Sequence, residues 1–316
     1  MKISVHTKIS DLVDVHSALS KIGLITTVET NVTYENALND AQNAEIIFTN
    51  PNNLGFFYSR EFIDQCQSLR YFVTASTGLD HVDITALRDR NVQLICLRHD
   101  ADFMSKVTAT AEHALCLTFA GLRKLPAAFE NIKQKSWSWE NCVGRQLSNL
   151  TVGVLGYGRL GKIYSNAMRQ LSNELLVHDP FIDQALIPQN ERASFLQIAN
   201  CDVISIHVHL ADDTKNLIDP SLLSRCKSDV LIVNTSRGGI VDETAMADFL
   251  SENPEAIYAT DVLADELSCI SENILLSSPH QSQVIITPHI GGMTKESRAL
   301  AYGRAVQLLQ GKMQQS

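Results

Sequence analysis

Arg237, His289 and an acid within Asp261–Glu266 are the side chains of this 316-residue chain whose types and positions could carry a reaction. Arginine presents a planar fork that binds a carboxylate bidentately. Histidine titrates near neutral pH, and a carboxylate beside it favours the charged ring and fixes its orientation. Together the three groups would hold an anionic substrate, exchange a proton with a developing alkoxide and orient the proton donor. His289 taken alone reads as a core histidine; the weight comes from the combination.

A second group binds rather than reacts. Gly156-Tyr-Gly-Arg-Leu-Gly161 has the spacing G-x-G-x-x-G, preceded by the apolar run Val152–Leu155 and followed by Leu160, Ile163, Ala167 and Leu171 at helical intervals. Gly156 would allow a tight strand-to-helix turn, Gly158 the approach of a pyrophosphate, and Gly161 close packing of the helix on the sheet. The amides at such a helix start form an anion site. Asp179 follows the apolar run Glu174–His178, eighteen positions past Gly161, where a carboxylate accepts from an adenosine ribose. It would repel a 2′-phosphate, and Pro180–Asp183 offers no arginine to receive one. The implied cofactor is NAD rather than NADP.

These residues need strands to present them. Asp202–His207, Asp229–Asn234, Ala256–Thr260 and Val284–Thr287 read as strands, and in an open α/β sheet ligands lie beyond the carboxyl ends. Arg237, Asp261 and His289 fall there. Before residue 100, strands at Ile3–Val5, Leu24–Val28, Glu45–Phe48, Tyr71–Thr74 and Val92–Leu97 alternate with helices at Asp11–Lys21, Tyr34–Ala41, Glu61–Cys66 and Ile84–Arg90. This is a second parallel sheet without a glycine fingerprint. Its loop Ala75–Asp80 has amides that could hold a small carboxylate, and a plain turn explains it equally well. Met104–Leu122 is apolar almost all round and predicts one buried helix, with Glu112 and His113 as a satisfied interior pair. Trp137 and Trp139 are expected as packing anchors, and Met293–Leu309 as a final helix.

Composition narrows the classes. Hydrophobic residues make up 45% and charged residues 19%, the balance of a globular protein long enough for two domains. The net charge of −9 and the lack of a long basic run argue against nucleic acid or an anionic membrane as partner. The seven cysteines are scattered without a C-x-x-C, which argues against a disulfide framework and against a metal site. With a first strand directly after Met1 and no membrane-length apolar run, a cytoplasmic location is expected.

Five motifs in order then resemble one family: Ala111-Glu-His113, Gly153–Gly161, Val233–Asp242, Asp261–Glu266 and Thr287-Pro-His-Ile-Gly-Gly292. The chain is similar, over almost its whole length, to the D-isomer-specific 2-hydroxyacid dehydrogenases, which include phosphoglycerate, glyoxylate, formate and phosphite dehydrogenases. The resemblance implies an NAD-dependent oxidoreductase that interconverts a small 2-oxo acid and its D-2-hydroxy acid. It implies that Arg237 holds the substrate, that His289 is the general acid/base and that Glu266 pairs with it. Asp261 would receive the nicotinamide amide, and Ser76, Thr77 and Gly78 would bind the substrate carboxylate. Further cofactor contacts would come from Gly156, Gly158, Arg159, Leu160, Gly161, Asp179, His207, Val208, Thr214, Thr235, Ser236, Arg237, His289, Gly291 and Gly292. The implied fold is α/β with two doubly wound parallel-sheet domains. A Rossmann NAD domain (101–289) is inserted into a smaller flavodoxin-like substrate domain (1–100), to which a C-terminal helix (290–316) returns. A homodimer through the NAD domain is implied as well.

The chain also departs from the family pattern. Leu267 stands where proline is usual, Ser268–Gln283 is longer than usual, and His209 replaces a common proline. Arg98-His-Asp-Ala101 replaces an Asn-x-Pro-Gly turn, and Arg98 reads equally as a substrate contact or as a solvated surface cation. Glu45–Asn50 lacks the basic loop expected where a phosphate is held, and no added regulatory domain follows, so phosphoglycerate is not the favoured substrate. Two alternatives stand beside the main reading: a phosphite-type dehydrogenase, and a non-catalytic NAD(H)-sensing scaffold.

Overall fold

A computed structural model describes the chain except for residues 31, 54–55, 267–271, 277–281 and 316. Leu267, Cys269 and most of the Ser268–Gln283 stretch therefore lie outside the described residues. The rest divides into two compact units, one made of 1–107 with 293–316 and the other of 108–292.

The first unit is built on short apolar runs: β1 (Lys2–His6), β2 (Leu24–Thr27), β3 (Ile46–Thr49), β4 (Tyr71–Thr74) and β5 (Gln93–Ile95). They pair in parallel in the order β2-β1-β3-β4-β5. Successive side chains of a strand point to opposite faces. Phe48 and Val73 accordingly join a core with Tyr302, Val306 and Leu309 of the C-terminal helix Lys295–Gln314. Ile47 and Phe72 enter a second core with Tyr58 and Phe62. Helices thus cover both faces, which is why β3 and β4 read as unbroken apolar runs. The expected β5 shortens to three residues, and the expected helix from Asp11 runs from Val13 to Ser20.

The second unit carries β6 (Thr151–Leu155), β7 (Glu174–His178), β8 (Val203–Ile206), β9 (Leu231–Asn234), β10 (Ile257–Thr260) and β11 (Val284–Ile286). Their order is β11-β10-β9-β8-β6-β7, again all parallel. The chain leaves β6 to one side for β7 and then returns to the other side for β8. That reversal opens the ligand crevice of a doubly wound sheet beyond Leu155 and Ile206.

Two expectations fail here. Met104–Leu122 is not one helix: a short turn at Ala101–Met104 ends before a separate helix, Ala109–Leu122. That second helix buries Ala111, Ala114 and Leu117, and Gly121 sits so close to β9 that an added Cβ would lie 2.7 Å from the Leu231 side chain. Trp137 and Trp139 anchor nothing in this chain, being 95% and 74% exposed. The preceding helix, Leu125–Lys133, buries none of its residues, and its Phe129 and Ile132 are exposed with them. Among the described residues no helix is long and apolar enough to cross a membrane, and the six described cysteines are free.

Candidate active site

The glycine turn between β6 and the helix Arg159–Met168 is shaped by backbone crowding. Gly156 has φ +91°, a region costly to residues with a Cβ, and an added methyl would lie 2.6 Å from the carbonyl oxygen of His207. At Gly161 a Cβ would come 2.0 Å from the carbonyl oxygen of Gly156. Gly158 differs, because nothing lies within 4 Å of its added Cβ. The chain therefore demands glycine at the first and third positions for its own packing. At the second, the open space is the approach a dinucleotide pyrophosphate needs.

The surrounding polar groups fit the same ligand. Asp179 follows β7 and accepts from the backbone N–H of Tyr157 (2.8 Å) and of Phe181 (3.0 Å), one bond to each carboxylate oxygen. Each oxygen retains a lone pair, enough for two ribose hydroxyls. His207, just past β8, bonds through Nε2 to Ser205 Oγ at 2.9 Å while its buried Nδ1 has no partner among the described residues. Burial lowers its pKa to about 3, so the ring is neutral at physiological pH. The hydroxyl of Thr235, just past β9, is likewise buried and unpartnered. Buried polar groups are normally satisfied, so two orphans just past the adjacent strands β8 and β9 mark a place for a polar ligand. Thr214 and Ser236 are spent locally: the Thr214 hydroxyl donates to the carbonyl of His209 (2.6 Å), and Ser236 Oγ donates to that of Ile206 (2.9 Å).

The reactive groups meet around the ends of β10 and β11. His289 Nδ1 lies 2.7 Å from Glu266 Oε2, and Glu266 Oε1 accepts from the N–H of Leu263 at 3.1 Å, which fixes the acid in its own turn. With Nδ1–H donating to Glu266, Nε2 is the ring atom placed to exchange a proton. His289 itself has φ +52°, an unusual conformation for a residue with a side chain. What holds it there is Asp261. The His289 N–H donates to the carbonyl of Asp261, and the Asp261 carboxylate receives the N–H of Ile290 (2.9 Å) and of Gly291 (2.7 Å). A Cβ on Gly291 would lie 2.9 Å from that carboxylate, so glycine is needed for the loop to wrap it. Burial alone would push the Asp261 carboxyl up, but bonds from His113, Thr287 and these amides outweigh it and hold the pKa below the ordinary value. Asp261 is thus a staple for the loop carrying His289. Among the described residues its Oδ2 accepts only from Gly291 and retains capacity for one more donor.

Arg237 follows β9, half-buried, and its guanidinium donates to the carbonyl of Ser236 at 2.7 Å. Gly238 beside it lets this loop nest on the turn that bears Glu266: an added Cβ would fall 1.9 Å from the backbone carbon of Leu263. The geometry also brings in His113 and Thr287, which the sequence reading placed in motifs without giving them a part in the site. His113 Nε2 donates to Thr287 Oγ1 (2.8 Å), and that hydroxyl donates to Asp261 Oδ1 (2.5 Å). The expected Glu112–His113 pair does not exist. Consecutive helical residues point about 100° apart, so Glu112 is exposed and accepts from Thr108 Oγ1 instead. The signal was present in the apolar helix, where a lone inward histidine needs a partner from elsewhere.

Ser76, Thr77, Gly78 and Arg98 belong to the first unit. Ser76 Oγ donates to the carbonyl of Gly78 at 2.8 Å, closing a tight turn after β4. The backbone N–H groups of Ser76, Thr77 and Gly78 have no partner among the described residues. Arg98, past β5, donates from Nε to the carbonyl of Thr77 at 3.1 Å.

Residues 115–291 match the NAD binding domain of the D-isomer specific 2-hydroxyacid dehydrogenases. The chain belongs to that family. The D-3-phosphoglycerate dehydrogenase of Mycobacterium tuberculosis is 32% identical over 241 residues, which cover 75% of this chain and 44% of the relative. That of Archaeoglobus fulgidus is 29% identical over 307 residues, 94% of this chain and 54% of the relative. The chain thus spans about half the length of these curated relatives. A solved phosphoglycerate oxidoreductase from Vibrio cholerae superposes with a TM-score of 0.86 at 22% identity and covers both chains in full, a likeness of fold.

Proposed function

We propose that the protein is an NAD-dependent oxidoreductase that interconverts a small 2-oxo acid and its D-2-hydroxy acid. The observation that carries this is the 2.7 Å contact between His289 Nδ1 and Glu266, on a loop stapled by Asp261. Bound NAD(H) supplies or accepts the hydride at the 2-carbon. The chain's own part is to move the proton and hold the acid. Protonated His289 gives its Nε2 proton to the alkoxide during reduction, and the neutral ring takes it back during oxidation. Glu266 stabilises the imidazolium and keeps the ring oriented. Arg237 offers its fork to the substrate carboxylate and carbonyl, and the N–H groups of Ser76, Thr77 and Gly78 can donate to a carboxylate.

In this reading the second unit binds the cofactor and carries the groups that act on the substrate, and the first unit contributes amides for a carboxylate. The exposed Phe129, Ile132, Trp137 and Trp139 support a homodimer formed through the NAD-binding unit, since a patch of that kind is rarely left to water.

The test is NADH oxidation with a panel of 2-oxo acids, phosphite and formate with NAD⁺ included. Turnover of a 2-oxo acid is expected, falling roughly two to four powers of ten in His289→Ala, the usual size of general acid–base effects. Glu266→Gln should lower turnover less, with NADH binding retained in both variants. Activity on phosphite alone, or NADH binding without turnover of any of these compounds, would overturn the assignment.

A further inference from the structure

Resting on that reading, we infer that His113 is a positioning residue for the proton transfer, acting through Thr287 on the loop that carries His289. All of these groups lie in the second unit. His113 stands in the first half of the helix Ala109–Leu122, whose opening turn packs on that loop: an added Cβ on Gly291 would lie 3.3 Å from the Thr110 methyl. His113 Nε2 is 2.8 Å from Thr287 Oγ1 and 3.3 Å from Asp261 Oδ1.

Proton counting fixes the direction of these bonds. Burial would push the Asp261 carboxyl up, but its donors hold it below the ordinary carboxylate value, so it is ionised and can only accept. A hydroxyl has a single proton, and the 2.5 Å contact between Thr287 Oγ1 and Asp261 Oδ1 takes it. The Thr287 oxygen therefore turns a lone pair toward His113, and Nε2 of His113 must carry a hydrogen. In the neutral ring Nδ1 is then bare, the opposite tautomer to the one that Glu266 imposes on His289. A bare Nε2 would instead compete with Asp261 for the hydroxyl proton. The carboxylate would then lose a bond where it staples the loop.

Thr287 is also tied to His289 directly. Its carbonyl accepts the His289 N–H at 2.9 Å, a donor shared with the carbonyl of Asp261. Thr287 thus holds the loop twice, by its side chain on Asp261 and by its backbone on His289. A residue at φ +52° keeps that sparsely populated conformation only while its surroundings over-determine it. Loss of the His113 donor removes one of those constraints and lets the backbone under the imidazole relax. A shift of about 1 Å in a reacting group can cost on the order of a hundredfold in rate.

The experiment compares wild type with His113→Phe, which keeps a ring but no donor, His113→Gln, which keeps an N–H donor, Thr287→Val, which keeps shape without the hydroxyl, and the double variant His113→Phe/Thr287→Val. With the best 2-oxo acid of the panel, kcat should fall about ten- to a hundredfold in His113→Phe and in Thr287→Val. KM for the acid should change little, because Arg237 is untouched. His113→Gln should recover most of the turnover. The double variant should be no worse than the single ones, since all break the same chain of bonds. Proton NMR reads the placement without substrate: the Nδ1 proton that His289 donates to Glu266, identified by its loss in His289→Ala, should be sharp in wild type and His113→Gln and broadened or lost in His113→Phe and Thr287→Val. Wild-type kcat in His113→Phe, equal damage in His113→Phe and His113→Gln, or losses that add in the double variant would each overturn the inference and leave His113 as packing. If His113→Phe does not fold, Thr287→Val carries the same test. Wild type that turns over no 2-oxo acid would refute the parent proposal alone, because the proton signal still decides whether this chain of bonds places His289.

Discussion

The glycine turn allows binding and stability to be perturbed separately at positions three residues apart. Gly158→Ala places a methyl where nothing lies within 4 Å, and Gly161→Ala places one 2.0 Å from the Gly156 carbonyl oxygen. Ordinary contact begins near 3.4 Å, so the second methyl must open the turn by about 1.4 Å. The obstacle is backbone and cannot rotate away. Overpacking of this kind costs about 1–3 kcal/mol, and here the upper end applies. Alanine recovers about 1 kcal/mol through its better helix propensity, because Gly161 lies inside the helix Arg159–Met168. The net loss is about 2 kcal/mol, which should lower the melting temperature of a unit of this size by roughly 4–8 °C. Gly158 is the helix N-cap with φ −69°, a conformation alanine adopts freely. Its replacement should change stability by less than ~1 kcal/mol. Yet its methyl occupies the approach of the pyrophosphate, so NADH affinity should drop at least about tenfold, a loss of about 1.4 kcal/mol. The two variants are read by thermal melting and by NADH fluorescence titration. Gly158→Ala with wild-type stability and wild-type NADH affinity would refute the placement of the cofactor at this turn.

Asp179→Ala should narrow the preference for NAD(H) over NADP(H), and equal use of both by the wild type would defeat the assignment. Acid should destabilise the fold through two buried histidines, because burial lowers the pKa of His6 to about 4 and of His207 to about 3. Below about pH 6.5 the unfolded chain binds protons that the folded one refuses, so stability falls as pH drops, by about 1.4 kcal/mol per pH unit for each ring. The loss levels off near pH 4 for His6 and pH 3 for His207. Urea melts at pH 7 and pH 5 should differ accordingly, and His207→Gln should reduce the difference; an unchanged slope would count against a neutral buried His207. Replacing Trp137 and Trp139 by serine should shift the sedimentation profile toward monomer without lowering the melting temperature of the monomer by more than a degree or two. A wild-type profile already monomeric at micromolar concentration would remove the dimer.

What could be read in the sequence divides along physical lines. Gly156 and Gly161 were legible because each answers a local steric demand that a single residue type meets, and the strands were legible because both faces of each sheet are covered. The tryptophans were misread for the converse reason. An aromatic in a polar segment signals that something must cover it, but not whether the cover comes from its own chain. Trp137 at 95% exposure shows that here it does not.

The proposed acid–base site could be read in its parts from the sequence, but not in its wiring. Spacing alone left the partner of His289 anywhere from Asp261 to Glu266, and the choice of Glu266 came from the resemblance. The structure gives the two acids different work. Glu266, in a turn of its own, reaches the imidazole at 2.7 Å, whereas Asp261 faces inward and takes the amides of Ile290 and Gly291. Neither backbone bond leaves a trace in residue identity, since any residue but proline can donate an N–H. The hydrogen-bonded run from His113 through Thr287 to Asp261 was hidden by distance, because 174 positions separate the histidine from the threonine it bonds. Any effect of His113 on the reaction therefore passes through the loop that Asp261 holds. Losing it should disturb the placement of His289 rather than remove a proton donor, and only the folded chain makes that difference visible.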